Sequence, residues 1–397
     1  MTDHRRQLRL IVVTAVAAAV SIAAACTAAP TTAPTTAPTP APTSTSSPTS
    51  TPTPIPASTI EVRPPTGIDY PALKTALERR MAAGPETLKE VRSVLISVDG
   101  TTELAYYQGG KATDHRHVWS VTKSVLSILV GIAVDEGKLR LDQNLAELLP
   151  EHASVMTDDQ RATTLRQLLT MTGGMAGDGG GLNPEAEDPT GLLLTYSASG
   201  STDAFAYSNS GAHLVAAVLR QAIGRSLLDY AREKLFDPLG IDSQPAWEGV
   251  NPNLKDGFDD AGFAWQTDST GTHIGAYGLK LTPSDLVKLG ELYLDEGVWD
   301  GRRIVSADWV RASTAPQLTK EQAASEGQYG YFWWVDDDPE LPGYVAAGAY
   351  CQFVLVIPSR RLVAVVTADD SAGWDPGRVC DDMRPLVAEV LLDPLIS

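Results

Sequence analysis

Ser120 and Lys123 stand three residues apart in the run Ser120-Val121-Thr122-Lys123, the first spacing in the chain with chemical content. In a helix, positions i and i+3 share one face, so a hydroxyl and an amine come within reach of each other. A serine at a helix N-terminus also sits where unpaired backbone N–H groups and the helix dipole favour developing negative charge. The amine can help deprotonate the hydroxyl or stabilise another group that does. Alone the pattern carries little weight, since about one such pair arises by chance in a chain this long. Its ordinary reading is a helix cap followed by a solvated lysine.

The residues that follow shift the balance. From Ser120 to near Gly137 the apolar positions fill most of a helical surface, so this helix is expected to be central and buried, with serine as its N-cap. Lys123 therefore lies on a buried element, where an amine is costly unless paired or functional. Downstream, Phe205-Ala206-Tyr207-Ser208-Asn209-Ser210-Gly211 precedes a second apolar helix, Ala212 to Ile223. A tyrosine and an asparagine two apart, before a helix, can point into a shared cleft. Tyr207 could relay a proton between serine and leaving group, and Asn209 could orient the lysine. Without Ser120 and Lys123, Tyr207 reads as packing at the start of a helix.

These residues need a frame. Val91 to Val98 and Glu103 to Tyr107 read as a hairpin turned at Asp99-Gly100-Thr101-Thr102. From about Asp142 to Asp237 the pattern is helices broken by glycine-rich loops, notably Gly173 to Gly181. Further helices are expected near Pro283 to Glu296 and Ser306 to Ser313. Phe353 to Ile357 and Leu362 to Thr367 form a second hairpin, turned at Pro358-Ser359-Arg360, and a last helix runs through Met383 to Leu392. Strands at both ends with helices between predict an α+β fold: one sheet built from the two ends, interrupted by a helical lobe at about 142–275.

Residues 1–62 stand apart from the body expected over 63–397. Arg5, Arg6 and Arg9 lead into an apolar run from Leu10 to Ala25, the length of a signal-peptide core and short for a membrane span. It ends in Ala23-Ala24-Ala25-Cys26, which resembles a bacterial lipoprotein processing site with alanine in place of the usual leucine at 23. Ordinary cleavage after Ala-x-Ala fits the same residues. Residues 27–62 read as a linker. As far as residue 58 they are almost wholly Ala, Pro, Thr and Ser, too polar and proline-rich to fold, and span on the order of 90 Å when extended. The chain is expected to be exported, as a surface lipoprotein anchored only by a lipid on Cys26 or as a secreted protein.

Composition narrows the partners. Three of the 31 Lys and Arg and one of the 49 Asp and Glu precede Glu61, so the rest carries 28 against 48, a net of −20. That balance argues against nucleic acid and anionic membrane. Six scattered histidines, with no Cys-x-x-Cys or His-Glu-x-x-His, predict no metal site. With Cys26 at the leader boundary, Cys351 and Cys380 form an even pair that can make a disulfide in an oxidising compartment or serve as two small buried hydrophobes.

Ser120-x-x-Lys123 with Tyr207-x-Asn209 resembles the first two motifs of the penicillin-recognising serine hydrolases. The likeness is closest to the class C β-lactamase-like branch, with its esterases and nylon-oligomer hydrolases, and covers most of residues 90–370. Leu168-Leu169-Thr170-Met171-Thr172-Gly173-Gly174-Met175 is similar to that branch's "LLTHTSGL", with Met171 in place of histidine. Leu279 to Leu286 and Gly330-Tyr331-Phe332-Trp333-Trp334 are similar to two further segments, in the same order. The third motif departs. Where β-lactamases carry Lys-Thr-Gly or His-Thr-Gly, this chain has Ala346-Ala347-Gly348, then Ala349-Tyr350-Cys351-Gln352, with Cys351 replacing a glycine of the esterase-like relatives. The cation and hydroxyl that grip a penicillin carboxylate are missing.

The resemblance implies acyl transfer to water from a small-molecule ester or amide, without a cofactor. Ser120 is the nucleophile, and Lys123 and Tyr207 move protons, either one serving as base in acylation. The N–H groups of Ser120 and Ala349 form the oxyanion hole, with Gly348 permitting close backbone approach. A cell-wall peptidase or β-lactamase is the same chemistry on another substrate, and a ligand-binding protein that kept the fold is the non-catalytic alternative. Trp119, Trp265, Tyr277, Tyr331, Trp333 and Trp334 are read as core aromatics by default, the segment holding Tyr350 as near the site, and Asp178 and Asp203 as solvated.

Overall fold

Val91–Val98 is apolar at most positions and all but Arg92 of it is buried, as befits a strand covered on both faces. The computed structural model describes residues 70–369 apart from 85, 176–181, 197–203, 251–256, 324–326 and 337–341. The expected leader with Cys26, the 27–62 linker, Cys380, the closing helix at 383–392, Asp178 and Asp203 lie outside those residues.

The body opens with helix α1 (Tyr70–Ala83), which buries Leu73, Leu77 and Met81 at helical spacing. The hairpin follows as β1 (Val91–Val98) and β2 (Thr101–Tyr107). Its turn is tighter than the sequence reading: Asp99 and Gly100, both left-handed, close it in two residues, and pairing resumes at Thr101. A short strand, β3 (Arg116–His117), then leads into α2 (Val121–Asp135), whose residues 121–133 are all buried.

Short helices build the lobe: α3 (Leu145–Leu148), α4 (Asp158–Ala162), α5 (Leu165–Leu169), α6 (Pro189–Tyr196), α7 (Asn209–Ile223) and α8 (Leu227–Ala231). Thr157 with Gln160, and Thr164 with Gln167, close capping boxes that let five-residue helices stand. Helix α7 is the hub, packed by α3, α5, α6 and α8, and it lies against α2.

The chain returns through β4 (Ala264–Trp265) and β5 (Leu279–Leu281), which with β3 make a small three-stranded sheet. Helix α9 (Pro283–Leu294) starts on a Thr282–Asp285 capping box, and a two-stranded ribbon, β6 (Val298–Trp299) with β7 (Arg302–Arg303), leads to α10 (Ala307–Ser313). The last strands are β8 (Gln328–Tyr329), β9 (Trp334–Asp336), β10 (Gly343–Gly348), β11 (Gln352–Ile357) and β12 (Leu362–Ala368). They complete a seven-stranded antiparallel sheet in the order β2-β1-β12-β11-β10-β9-β8. Val91 pairs with Ala368 and Val98 with Leu362, so the two ends of the body meet in the sheet as its sequence predicts. Helix α9 covers β1, β11 and β12, while α2 lies on β10 and β11 and faces the lobe on its other side. The N-terminus of α2 therefore opens where sheet, lobe and small sheet meet.

Candidate active site

Strand β3 runs into α2 through a sharp turn. Val118 N–H donates to Leu279 O, which holds the approach against β5, and Trp119 then takes a left-handed conformation, φ +48°. That reversal puts Ser120 at the tip, half-buried, in the N-cap position of α2. The sequence reading makes this serine a helix cap, and by position it is one. Its hydroxyl nevertheless accepts no hydrogen bond from the helix backbone and meets Lys123 Nζ at 3.0 Å instead.

Lys123 is 1 % exposed, so water does little to solvate its amine. Nζ donates to Asn209 Oδ1 at 2.7 Å and to Ala276 O at 2.8 Å, and it lies 4.8 Å from the centre of the Tyr207 ring. Both partners are amide oxygens, which only accept, so both contacts consume an N–H. The third direction points at Ser120 Oγ and can hold either an ammonium N–H or an amine lone pair. Two fixed acceptors thus hold the amine against Ser120 Oγ. Asn209, expected to stand by the lysine, accepts from it out of the first turn of α7, whose start is capped by Ser208 Oγ accepting from Gly211 N–H.

Tyr207 is half-buried and stacked on Trp334, with ring centres 6.0 Å apart and planes 7° apart. Tyr329 meets it edge-on at 6.4 Å. Burial, with Tyr207 alongside, pushes the Tyr329 hydroxyl well above its ordinary range, so Tyr329 is a neutral wall. Trp265, Tyr331 and Trp333 are buried core residues, as aromatics usually are, whereas Trp334 is buried and still touches a candidate catalytic ring.

The third-motif strand is β10. Ala346 and Ala347 are buried and offer no polar side chain. Gly348 has no room for one: a Cβ would stand 2.5 Å from Val118 O and 3.1 Å from Ser120 N. The end of β10 therefore lies directly against the backbone of Ser120. Ala349 follows in a single tight turn, 349–351, in which Tyr350 and Cys351 both have positive φ, +56° and +65°. Gln352 secures that turn, its Nε2 donating to Tyr350 O and to Ala368 O while its Oε1 accepts from Ala368 N–H. Tyr350 and Trp119 then meet at 5.1 Å, and Trp119 leans on His117 at 4.1 Å. Cys351 is buried and has no disulfide partner among the described residues, and Cys380, its candidate partner from the sequence, lies outside them.

Sequence reasoning missed two features. Ala276 contributes a main-chain oxygen, which no side-chain pattern reveals. The available signal is Gly275, where a Cβ would lie 2.4 Å from Ala212 O, so the segment must pass close to α7. The other is the fully buried pair His213–Asp268, 3.1 Å apart, with His213 Nδ1 accepting from Gly275 N–H at 3.5 Å. Burial alone would raise Asp268, but hydrogen bonds from His213, Thr270 and Thr272 outweigh it and hold the carboxyl below the usual range. Fifty-five residues separate the partners, so neither marks the other in sequence. Among the described residues no cluster of three His, Cys, Asp or Glu is placed to hold a metal ion.

A family model described as Beta-lactamase matches residues 90–384. Penicillin-binding protein 4 of Amycolatopsis lactamdurans is 28 % identical over 291 residues, 68 % of this chain and 76 % of that one. The 6-aminohexanoate-dimer hydrolase of Paenarthrobacter ureafaciens is 26 % identical over 310 residues, 70 % of this chain and 74 % of that one. Among solved structures, a putative beta-lactamase from Bacteroides dorei superposes with a TM-score of 0.61 at 17 % identity, covering 83 % of this chain and 99 % of that one.

The contact between Gly348 and the Ser120 backbone generates a prediction. In Gly348→Ala the new methyl forces β10 away from Ser120. The expected result is a loss of about 10²-fold or more in the rate of ester turnover, together with a lowered unfolding temperature. Turnover within twofold of wild type would show that the approach of β10 to Ser120 has no part in the chemistry.

Proposed function

The chain belongs to the β-lactamase family of serine hydrolases, and we propose that it is an exported member that cleaves an ester or amide bond through an acyl group carried on Ser120. The observation that carries this reading is Lys123 Nζ held 3.0 Å from Ser120 Oγ by two carbonyl oxygens on its other sides. A helix cap with a solvated lysine has no use for that arrangement.

In the proposed cycle Ser120 Oγ attacks the substrate carbonyl carbon as its proton passes to Lys123 or Tyr207. The N–H groups of Ser120 and Ala349 receive the negative charge on the former carbonyl oxygen. The C–O or C–N bond then breaks, the leaving alkoxide or amine takes the proton, and the acyl group remains on Ser120. A water molecule attacks that ester, gives up its proton along the same route, and the serine hydroxyl is restored. Atoms and charges balance with substrate and water alone, so no cofactor is required. The lack of any cation or hydroxyl at Ala346 and Ala347 supports a substrate without a carboxylate at that point, and Trp119 with Tyr350 supports an apolar flank beside the nucleophile.

A fluorophosphonate probe tests the nucleophile: wild type should be labelled and Ser120→Ala should not, whereas a wild type that resists labelling would favour a non-catalytic binding protein. Lys123→Ala should lower ester turnover about 10²-fold or more while keeping the fold, and near-normal turnover would reduce Lys123 to a structural role.

Substrate choice follows from the third motif. Losing a charged contact commonly costs a few kcal/mol, so short-chain aryl esters should be cleaved far faster than penicillins or cephalosporins. Efficient cephalosporin hydrolysis would mean that another residue grips the carboxylate, and the peptidase or β-lactamase reading would replace this one. For export, the basic lead, apolar run and Cys26 support lipid anchoring. Cys26→Ser should move the protein from the membrane fraction to the soluble one with its turnover unchanged, and continued membrane attachment would point to the apolar run itself as the anchor.

A further inference from the structure

Met171 lies in the segment that leads from α5 towards the site, and nothing in the proposed cycle uses it. It is 3 % exposed and has φ +59°. Glycine adopts that conformation without strain and does so three residues later, at Gly174 with φ +67°. A side chain kept in a strained position is explained best by something the side chain does.

Two hydrogen bonds show what it reaches. Ala206 N–H donates to Met171 O at 2.9 Å, and Ser208 N–H donates to Met171 Sδ at 3.4 Å. Those donors stand on either side of Tyr207. The carbonyl and the thioether of one residue therefore bracket the tyrosine, and Ser208, the cap of α7, continues directly to Asn209. Ser208 is itself only 2 % exposed, so water is poorly placed to replace the sulfur. Leucine would fill about the same volume and accept nothing.

We propose that Met171 is a positioning residue, whose thioether and carbonyl hold Tyr207 in its stack on Trp334 and beside Lys123 so that it can move protons. The proposal rests on the role assigned to Tyr207, and kcat of Tyr207→Phe, expected to fall about 10²-fold or more, tests that role independently of any Met171 variant.

The test compares wild type, Met171→Leu and Met171→Gln by kcat and KM on p-nitrophenyl acetate, with unfolding temperature measured on each. Glutamine is unbranched like methionine and ends in an acceptor oxygen. Met171→Leu is expected to lose about tenfold or more in kcat with KM within about threefold, and Met171→Gln to recover to within about threefold of wild type. A leucine variant with kcat within twofold of wild type overturns the proposal, even if its unfolding temperature falls, since packing alone accounts for that. A glutamine variant as slow as the leucine one overturns it too. If Met171→Leu does not fold, Met171→Gln decides alone: kcat within threefold supports the bracket and kcat below a tenth of wild type refutes it.

Discussion

One nitrogen atom constrains the arrangement of three parts of this protein. Taking a lysine amine out of water is costly unless every hydrogen finds an acceptor. Lys123 Nζ finds its acceptors on its own helix at Ser120, on the first turn of α7 at Asn209, and on the segment before β5 at Ala276. Central helix, helical lobe and small sheet must therefore sit in one relation for the lysine to be tolerated. The buried His213–Asp268 pair, bonded to Gly275 N–H, braces the third of these parts from behind.

The same region concentrates backbone strain. Trp119, Met171, Phe332, Tyr350 and Cys351 all have positive φ without being glycine. Each lies next to a group that the site uses or braces. Hydrogen bonds hold several of them: Phe332 N–H donates to Leu169 O, Phe332 O accepts from Ser124 Oγ, and Tyr350 O accepts from Gln352. Strain of this kind persists where surroundings over-determine the conformation, and it clusters where geometry matters more than local ease.

Much of this was legible in the residues, for identifiable reasons. The hairpins and α2 announce themselves because long apolar runs and the turns at Asp99-Gly100 and Pro358-Ser359-Arg360 leave few alternatives, and an end-to-end sheet follows from strands near both ends of the body. Ser120, Lys123, Tyr207 and Asn209 can be singled out as one group because side-chain type and spacing mark them, and the structure brings them together. Ala276 is invisible because a main-chain oxygen has no residue signature. Strands of two or three residues, such as β3, β4, β8 and β9, are too short for any periodicity. The sequence predicts too long a turn in the first hairpin because Thr101 and Thr102 are polar and exposed, although they pair with Val98 and Ser97.

The pairing of β1 with β12 also has a consequence in time. A ribosome delivers β1, β2 and α2 well before the strand that separates β1 from β11, which arrives only with Leu362–Ala368. Until then β1 has an open edge, α2 has no sheet beneath it, and the lysine waits for Asn209 and Ala276. Contacts this distant along the chain make folding slow, and unpaired edges invite association with other chains. A hydrolase assembled this way can hold Ser120 and Lys123 in their final setting only after residues 362–368 have been made, so a shorter chain carries the pair without its surroundings.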